Sequence, residues 1–459
     1  MNKLPDPVGK QIEVLYLPAE GHVVVLGTAG SGKTTLAILR AVYLANPSTE
    51  HGGRTLLVTF NKALVTYLKY LCAKELQSVR IENYHTFARG YLNSRGKMRA
   101  NTILDNREPI VAQAIQNVSR NYRENLFFNR SVQFFSEEIG WISRHGIVKE
   151  EQYVDAERIG QLSRLDKKNR PVMFKVYSEY LKIRSAQGKD YDWDDIATHV
   201  LREFIQDDSE RLYRHVVIDE GQDFSPEMLR SLAAAIPKDG SLTLFGDMAQ
   251  QIYGQRMTWK SAGLAISKPW KFIQNYRNTR EIARLGLAIS KMPYFADIPD
   301  MVEPSQPQAQ GALPTLVRCR NKKEEISVVM SLVNADSKTK NVAILLKNRE
   351  QESYFKSQLP GTAVRLHRDM KTWITTPGVR YGTYNSAKGL EFDKVIIPFL
   401  SEDNLPDSGN VATYGSDAYD GKRLYVAVTR AKKELALIYS GEKTRLLPPD
   451  ATLYKEVSA

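Results

Sequence analysis

The sequence predicts an α/β protein with two parallel-sheet domains. Strand-like and helix-like patterns alternate over residues 20–90 and again over residues 195–300. This alternation is typical of a parallel sheet covered by helices. A further strand-like run at 342–346 indicates a second domain of the same class. Residues 91–200 show helical patterns instead, which indicates that a helical segment interrupts the first domain.

Individual elements follow from local patterns. The apolar run 22–26 predicts a buried strand, and residues 35–40 predict the helix after it. Helical patterns at 110–115 and 172–177 are separated by a turn at 167–171. Further strands are predicted at 395–397 and 435–439, and loops at 303–311 and 401–420. The predicted boundaries are 1–90 and 196–268 for the first domain, 91–195 for the helical insertion and 269–459 for the second domain.

Composition limits the class of protein. The 459 residues are 42% hydrophobic, enough for sizeable cores, but contain no apolar stretch long enough to cross a membrane. The N-terminal sequence does not resemble a signal peptide, so a cytoplasmic location is expected. Cys72 and Cys319 match no metal or redox motif, and we expect two reduced thiols.

The net charge of +12 favours a polyanionic partner such as nucleic acid, with a solvated basic surface as the alternative. Residues 91–190 hold 18 Lys and Arg against 12 Asp and Glu, which is half of the excess. Residues 91–190 therefore form a basic region, which lies within the predicted helical insertion.

Residues 27–34 match the phosphate-loop pattern G-x-x-x-x-G-K-[ST]. Gly27, Gly30 and Gly32 allow backbone N–H groups to close around phosphate oxygens, and the following helix presents its positive N-terminus. Lys33 can reach the β- and γ-phosphates, and the Thr34 hydroxyl can bind Mg²⁺. The loop predicts binding of a nucleoside triphosphate.

A second strand, 215–219, ends in two acids. Phosphoryl transfer to water needs a carboxylate for the metal and a base for the attacking water. Asp219 is predicted to hold Mg²⁺, and Glu220 is predicted to polarise the water.

The residues after this pair narrow the class of protein. Residues 219–223 read Asp-Glu-Gly-Gln-Asp, a helicase-type D-E-x-Q-D motif. Further motifs follow at 57–63, 84–87, 192–195, 245–253, 274–277, 383–392 and 423–431. In this order they resemble the UvrD/Rep/PcrA-like family of superfamily 1 helicases. The resemblance implies two RecA-like motor domains, with the helical insertion in the first.

The resemblance implies that the nucleotide is ATP with Mg²⁺, bound in the cleft between the motor domains. By resemblance, its contacts are Gln11 and Tyr276 at the adenine, Glu391 at the ribose, Thr35 beside the phosphate loop, and Gln250, Arg277 and Arg430 at the γ-phosphate. Arg430 would be an arginine finger from the second domain, and such fingers raise the rate by roughly 10³–10⁵. Closure around ATP and release after hydrolysis would give stepping along a strand.

The resemblance also assigns contacts to a bound nucleic-acid strand. They are Phe60, Asn61, His85, Thr86, Tyr253, Arg256, Thr383 and Lys388. Gln255 stands where the family usually has an aromatic residue, and Asn385 where it has a histidine. Trp259 is a candidate to replace that aromatic residue, and a core or interdomain position is the alternative.

Basic and aromatic residues of the insertion are further candidates for strand contacts, with an ordinary solvated helical face as the alternative. They are Arg95, Lys97, Arg99, Arg120 and Arg123, with Tyr91 and Tyr122 to stack on bases.

The main functional hypothesis is an ATP-dependent DNA helicase or translocase, moving 3′ to 5′ by resemblance, in DNA repair or anti-phage defence. Its partner would be single-stranded DNA or a tailed duplex. From Arg277 to Thr383 there is no room for the large insertion of longer relatives, which puts regulated strand separation in question. An alternative is a nucleotide-gated DNA sensor that controls a partner nuclease on another chain. A third is an RNA helicase, because backbone contacts do not read the 2′-hydroxyl.

Overall fold

Strands and helices alternate along most of the chain. The computed structural model describes residues 6–28, 30–60, 62–71, 78–122, 125–158, 161, 163–247, 258–266, 268–273, 275, 278–295, 309–367, 376–414 and 417–459. The strands are β1 (Gly21–Gly27), β2 (Thr55–Thr59), β3 (Val79–Asn83), β4 (Ile103–Leu104), β5 (Tyr191–Asp192), β6 (His215–Asp219), β7 (Ser241–Gly246), β8 (Trp270–Phe272), β9 (Thr315–Cys319), β10 (Asn341–Leu346), β11 (Val364–Arg365), β12 (Gly378–Thr383), β13 (Phe392–Ile397), β14 (Ala431–Ser440) and β15 (Lys455–Ser458). The helices are α1 (Lys10–Leu15), α2 (Lys33–Ala45), α3 (Lys62–Leu71), α4 (Tyr84–Ser94), α5 (Glu108–Ser119), α6 (Val132–Arg144), α7 (Glu150–Asp155), α8 (Arg170–Ala186), α9 (Ile196–Gln206), α10 (Pro226–Ala234), α11 (Arg280–Ser290), α12 (Lys322–Asp336), α13 (Arg349–Lys356), α14 (Ser408–Tyr414) and α15 (Ala418–Val428).

The first sheet has the strand order β3-β2-β6-β7-β1-β8, and its pairings are parallel. β7 lies between β6 and β1, with Val25 opposite Phe245 and Val217 opposite Thr243. Because the strands are parallel, the carboxyl ends of β1, β6 and β7 meet at one edge, where ligands bind in open α/β sheets. This edge brings together the segments that follow β1, β6 and β7, and we call this sheet with its helices the first domain.

The second sheet has the order β11-β12-β10-β13-β14-β9-β15, again with parallel pairings. Its central strand β10 places Ile344 opposite Tyr381 on one side and Ile396 on the other. The two sheets confirm the predicted α/β class, and we call this sheet with its helices the second domain.

The prediction of a loop over 401–420 is wrong. This segment contains α14 and the first turn of α15. The Asp407 carboxylate accepts the backbone N–H groups of Gly409 at 3.0 Å and Asn410 at 3.3 Å. These bonds satisfy donors at the beginning of α14, as an N-terminal cap does, so acidic residues that suggested a loop in sequence start a helix.

Helices α5 to α8 pack around a core of their own. Its largest buried side chains include Phe135, Trp141, Tyr153 and Tyr180. The helical patterns predicted at 110–115 and 172–177 correspond to α5 and α8. None of the described helices is long and apolar enough to cross a membrane.

Arginines of these helices bind carboxylates that precede α9. Arg184 donates to Asp195 Oδ2 at 2.5 Å, and Arg144 donates to Asp194 Oδ2 at 2.9 Å. Asp195 is the residue immediately before α9, whose apolar face packs in the core of the first domain. A buried and a partly buried ion pair therefore connect the helical core to the first domain.

Candidate functional site

The phosphate loop connects β1 to α2, as its sequence pattern predicts. Gly30 and Gly32 have φ angles of 78° and 82°, which residues with a side chain rarely adopt. A Cβ on Gly27 would lie 2.4 Å from Ser31 Oγ and 3.3 Å from Lys33 Cγ, so a side chain there would displace these neighbours. The glycine positions of the motif are therefore required by backbone angle and by close packing.

Lys33 begins α2 and turns its ammonium back into the loop. Its Nζ donates to Gly27 O at 3.0 Å and Thr28 O at 2.6 Å, and lies 3.6 Å from Asp247 Oδ2. The side chain is buried. The Lys33 ammonium is thus held within hydrogen-bonding distance of the loop, at the place where the motif predicts phosphate oxygens. Thr34 and Thr35 follow in the first turn of α2.

Gln11 lies beside the same loop. Its Nε2 donates to Ser31 O at 3.1 Å, and its Oε1 accepts the N–H of Val8 at 3.1 Å. A Cβ on Gly32 would lie 3.0 Å from Gln11 Nε2, so the glycine also leaves space for this amide. The predicted adenine-reading residue and the phosphate loop are therefore in direct contact.

Asp219 is the last residue of β6 and lies at the same edge of the first sheet. Its Oδ2 is buried and accepts no hydrogen bond from the described residues. Burial and the adjacent Glu220 carboxylate raise the pKa of Asp219 to about 7, and Thr34 and Lys33 oppose this increase. An unpaired carboxylate oxygen next to a threonine hydroxyl forms a set of hard oxygen ligands that fits Mg²⁺.

Glu220 has a left-handed backbone, with φ 56° and ψ 40°. This conformation is strained for a residue with a side chain and is often found at functional sites. Its Oε2 accepts from Gln222 Nε2 at 2.5 Å, and Gln222 Oε1 accepts the N–H of Asp247 at 2.9 Å. Gln222 therefore holds the predicted base and connects it to the end of β7.

The second domain contacts the first beside the Glu220 carboxylate, through the turn before β13. Lys388 Nζ donates to Asp223 Oδ1 at 2.6 Å, and both side chains are 3% exposed. Gly389 has a φ angle of 79°, and a Cβ there would lie 3.5 Å from Glu220 Oε1 and 3.0 Å from Leu64 Cδ2. This turn therefore packs directly on the first domain beside Glu220.

Arg430 follows α15 and is fully buried. It donates to Val426 O at 3.0 Å, Leu390 O at 3.4 Å and Thr429 Oγ1 at 3.1 Å. Burial raises the pKa of Glu220, but the charges of Lys388, Lys33 and Arg430 outweigh burial and hold that pKa below its ordinary value. Cations of both domains therefore keep Glu220 ionised, the state that a base requires.

Lys388 lies in the interdomain contact, whereas the sequence assigned it to the nucleic-acid strand. Its burial leaves no open surface for a phosphate in this arrangement. Glu391, the predicted ribose contact, lies immediately before β13, and Lys432 Nζ lies 3.5 Å from its Oε1. Seven predicted residues lie outside the described residues: Asn61, Arg123, Gln250, Tyr253, Arg256, Tyr276 and Arg277.

A row of aromatic rings crosses the first domain. Phe60 and His85 have ring centroids 5.7 Å apart, and His85 and Trp193 are 5.2 Å apart, both edge-to-face. Trp193 Nε1 donates to Asp105 Oδ1 at 3.0 Å, and the exposed Thr86 follows His85 in α4. From the sequence, Trp193 is identified only as part of the acidic stretch 192–195. The signal that distinguishes it is that it is the one aromatic residue within Asp-Trp-Asp-Asp.

Other predicted strand contacts make internal contacts. Thr383 Oγ1 lies 2.8 Å from Ser386 Oγ, and Asn385 Oδ1 accepts from Arg423 Nε at 3.1 Å. Trp259 is partly buried against the core cluster that includes first-domain residues, in agreement with the alternative core position.

The candidate strand contacts of the predicted insertion differ in how far their side chains are free to meet a nucleic acid. Tyr91 stacks on Phe204 with centroids 3.9 Å apart, and its hydroxyl donates to Asp207, so this ring is part of the fold. Arg95 and Lys97 lie 3.5 Å from Asp207 and Glu203 respectively. Tyr122 accepts from Lys175 at 2.6 Å, whereas Arg99 and Arg120 are exposed.

Comparisons with known proteins agree with this architecture. The UvrD/REP helicase N-terminal domain matches residues 9–268, and the UvrD-like helicase C-terminal domain matches residues 362–442. A probable DNA helicase of Mycoplasma pneumoniae is 23% identical over 469 residues, covering 91% of this chain and 80% of the relative.

Two further relatives have similar identity. The ATP-dependent DNA helicase UvrD2 of Mycobacterium tuberculosis is 23% identical over 557 residues, covering 94% of this chain and 78% of the relative. A probable DNA helicase II homolog of Mycoplasma capricolum is 23% identical over 390 residues, covering 78% of this chain, and the chain matches about half of its length, 51%. Because the N-terminal family domain alone matches more than half of the residues, this chain belongs to the UvrD/Rep helicase family.

Proposed function

We propose that this chain is an ATP-driven DNA helicase or translocase whose nucleotide site lies between its two α/β domains. One observation carries the proposal: Glu220 of the first domain is packed against the Lys388–Gly389 turn and lies within the charge field of Arg430, both from the second domain. A site divided in this way changes when the domains move. Hydrolysis can therefore drive movement along a bound strand.

In this proposal Lys33 and the loop N–H groups hold the phosphates, and Gln11 contacts the adenine. Glu220 is ionised because its pKa is held low, and its carboxylate, oriented by Gln222, is the group that accepts a proton from the attacking water. Arg430 places positive charge near the transferred phosphoryl group. Its bonds to backbone carbonyls fix the guanidinium before ATP arrives, which lowers the cost of reorganisation.

Mg²⁺ fits the oxygen ligands at the end of β6. We propose that Asp219 and Thr34 hold it, because Asp219 Oδ2 is buried without a hydrogen bond from the described residues. When bound, the cation neutralises charge on the phosphates during transfer. Removal of divalent cations is therefore expected to abolish turnover.

The proposed strand surface of the first domain contains Phe60, His85, Thr86 and Trp193. The edge-to-face packing of the three rings holds them in a fixed row, and every nucleobase has a face that can stack on an aromatic ring. Thr383 of the second domain would contact the strand backbone. Contacts from both domains are needed if the domains are to grip the strand alternately.

The finer parts of the proposal rest on the family resemblance. They are movement from 3′ to 5′, a role in DNA repair or anti-phage defence, a possible nuclease partner on another chain, and the division into 1–90 with 196–268, 91–195 and 269–459. The separate core of α5 to α8 supports a distinct helical subdomain within the first motor domain.

The test compares the wild-type chain with Lys33→Ala in two assays. We expect ATP hydrolysis by the wild-type chain to be stimulated by single-stranded DNA, and we expect Lys33→Ala to abolish it. Strand displacement on a 3′-tailed duplex by the wild-type chain supports a helicase, and hydrolysis without displacement supports a translocase or a nucleotide-gated sensor. Hydrolysis retained by Lys33→Ala would overturn the assignment of the site.

A further inference from the structure

Arg40 is a fully buried arginine that binds backbone carbonyls. It lies on α2, the helix that begins with Lys33, and has 0% exposure. One terminal nitrogen donates to Leu15 O at 2.8 Å and the other to Pro18 O at 2.7 Å. Burial lowers the pKa of Arg40 to about 10, so the group is still charged at neutral pH. A buried charge is costly unless its hydrogen bonds are made, so these two bonds hold the arrangement in place.

The carbonyls belong to the end of α1 and the turn after it. α1 has six residues, too few for a stable helix by itself, and only Gln11 and Val14 of it are buried. Val8, Ile12 and Tyr16 are 51%, 44% and 61% exposed, so one face of this segment has little packing. A guanidinium on terminal carbonyls satisfies the groups that a helix end leaves unpaired. Arg40 therefore provides the polar attachment of α1 to α2.

α1 carries Gln11, and the phosphate loop leads directly into α2. Gln11 contacts Ser31 O within the loop, and Gly32 gives it room. Since Arg40 fixes the end of α1 to the helix that follows the loop, it also fixes the distance between the Gln11 amide and the loop.

This distance matters for recognition of the base. Adenine offers a donor at N6 beside an acceptor at N7, whereas guanine offers two acceptors, O6 and N7. An amide has one donor group and one acceptor, so it matches adenine only when it is held in one place and one orientation. If α1 shifts, the amide can no longer distinguish the two bases by position.

We propose that Arg40 is a positioning residue for nucleobase selection, which holds α1 so that Gln11 favours adenosine over guanosine triphosphate. The inference rests on the proposed role of Gln11 in the ATP site. It adds a residue that never touches the nucleotide and acts through the placement of a short helix.

Arg170 offers a matched control. It is also a buried arginine that donates to backbone carbonyls near a helix end, to Val154 O at 2.6 Å and Ala156 O at 2.7 Å. Those carbonyls belong to α7 and the residue after it, in the helical core. Lysine keeps the charge but cannot reproduce the two-nitrogen fork of Arg40, which donates from both terminal nitrogens. Arg170 donates to its carbonyls from one terminal nitrogen, so Arg170→Lys controls for an arginine-to-lysine change at a buried helix end away from the phosphate loop.

The experiment measures kcat and KM for ATP and for GTP, with saturating single-stranded DNA, in the wild-type chain and each variant. We expect Arg40→Lys to raise the KM for ATP about tenfold, with kcat within about twofold and the KM for GTP unchanged. Arg170→Lys should leave the ATP-to-GTP preference at its wild-type value. Gln11→Ala should lower the preference at least as much as Arg40→Lys.

The outcomes separate this inference from the proposed function. A wild-type preference retained by Arg40→Lys, or an equal rise of KM for both nucleotides, overturns the positioning role. Absence of hydrolysis by the wild-type chain overturns the proposed function instead. If Arg40→Lys does not fold, Val14→Ala loosens α1 from its apolar side. An unchanged preference in that variant also contradicts the inference.

Discussion

The two α/β domains share one plan of parallel strands but bring different charges to the contact between them. The first domain contributes three carboxylates at and after the end of β6, Asp219, Glu220 and Asp223, together with the ammonium of Lys33. The second contributes Lys388 and Arg430. The two domains have the same sheet architecture, yet one supplies the carboxylates and the other supplies Lys388 and Arg430. The chemical groups of the proposed site are therefore determined by the loops after the strands and not by the sheets. In the proposed site, neither domain alone supplies all of these groups.

The largest effect is expected from removing a cation of the second domain. Arg430→Ala should lower kcat for DNA-stimulated ATP hydrolysis by roughly 10³–10⁵, the usual contribution of an arginine finger. Arg445 is a control in the same domain, since it pairs with Asp417 at the surface, and Arg445→Ala should change kcat little. Steady-state ATPase assays measure both. A kcat within tenfold of wild type in Arg430→Ala would show that the second domain does not supply this charge.

Removal of the predicted base of the first domain should have the next largest effect. Glu220→Gln keeps shape and hydrogen bonding but cannot accept a proton, so kcat should fall by roughly 10²–10⁴ with nucleotide binding retained. Glu227→Gln changes another buried glutamate of the first domain, which pairs with Arg230 at 2.7 Å, and should affect stability alone. Fluorescent-nucleotide binding and ATPase assays separate the two effects. Normal turnover by Glu220→Gln would rule out its role as base.

The aromatic row tests the proposed strand surface of the first domain, which lies beside this charge pairing because Phe60 follows Thr59, the residue opposite Asp219 in the sheet. Trp193→Ala should weaken binding of single-stranded DNA by about 1–3 kcal/mol, the contribution of one stacked base. The matched control is Trp270→Ala, which removes a partly exposed tryptophan from the edge strand β8. Fluorescence anisotropy with a labelled oligonucleotide measures the affinity. Equal weakening in both variants would mean that the row is not a specific strand surface.

A smaller effect is expected from crowding the interdomain turn. Gly389→Ala adds a Cβ at 3.0 Å from Leu64 and 3.5 Å from Glu220, on a left-handed backbone that disfavours it. We expect about a fivefold loss of DNA-stimulated kcat, because about 1 kcal/mol of strain acts on the domain contact. Gly361→Ala, where nothing lies within 4 Å, should be neutral. If Gly389→Ala retains wild-type kcat, the turn does not control Glu220.

Local parts of the site were predictable from sequence. The phosphate loop and the strand ending in Asp219 are each determined within a few residues, because glycine angles and apolar runs are local properties. The two parallel sheets followed from the alternation of strand and helix patterns.

The remaining features depend on distant contacts. Trp193 joins the aromatic row because it meets His85, more than a hundred residues earlier in the chain. The burial of Lys388 depends on contact between two domains, and the placement of Tyr91 on Phe204 depends on how α4 packs against α9. No local pattern specifies these distances, so sequence reasoning assigned Lys388 and Tyr91 to surfaces that face a nucleic acid.

The central claim is that carboxylates of one domain and cations of the other act as a unit, and the Lys388–Asp223 pair tests it most directly. The measurement is a double-mutant cycle in DNA-stimulated kcat with Lys388→Ala, Asp223→Ala and the double variant. The account predicts that each single change lowers kcat and that the double variant is hardly worse, with a coupling free energy of about 1 kcal/mol or more. Effects that add within about 0.5 kcal/mol would contradict it.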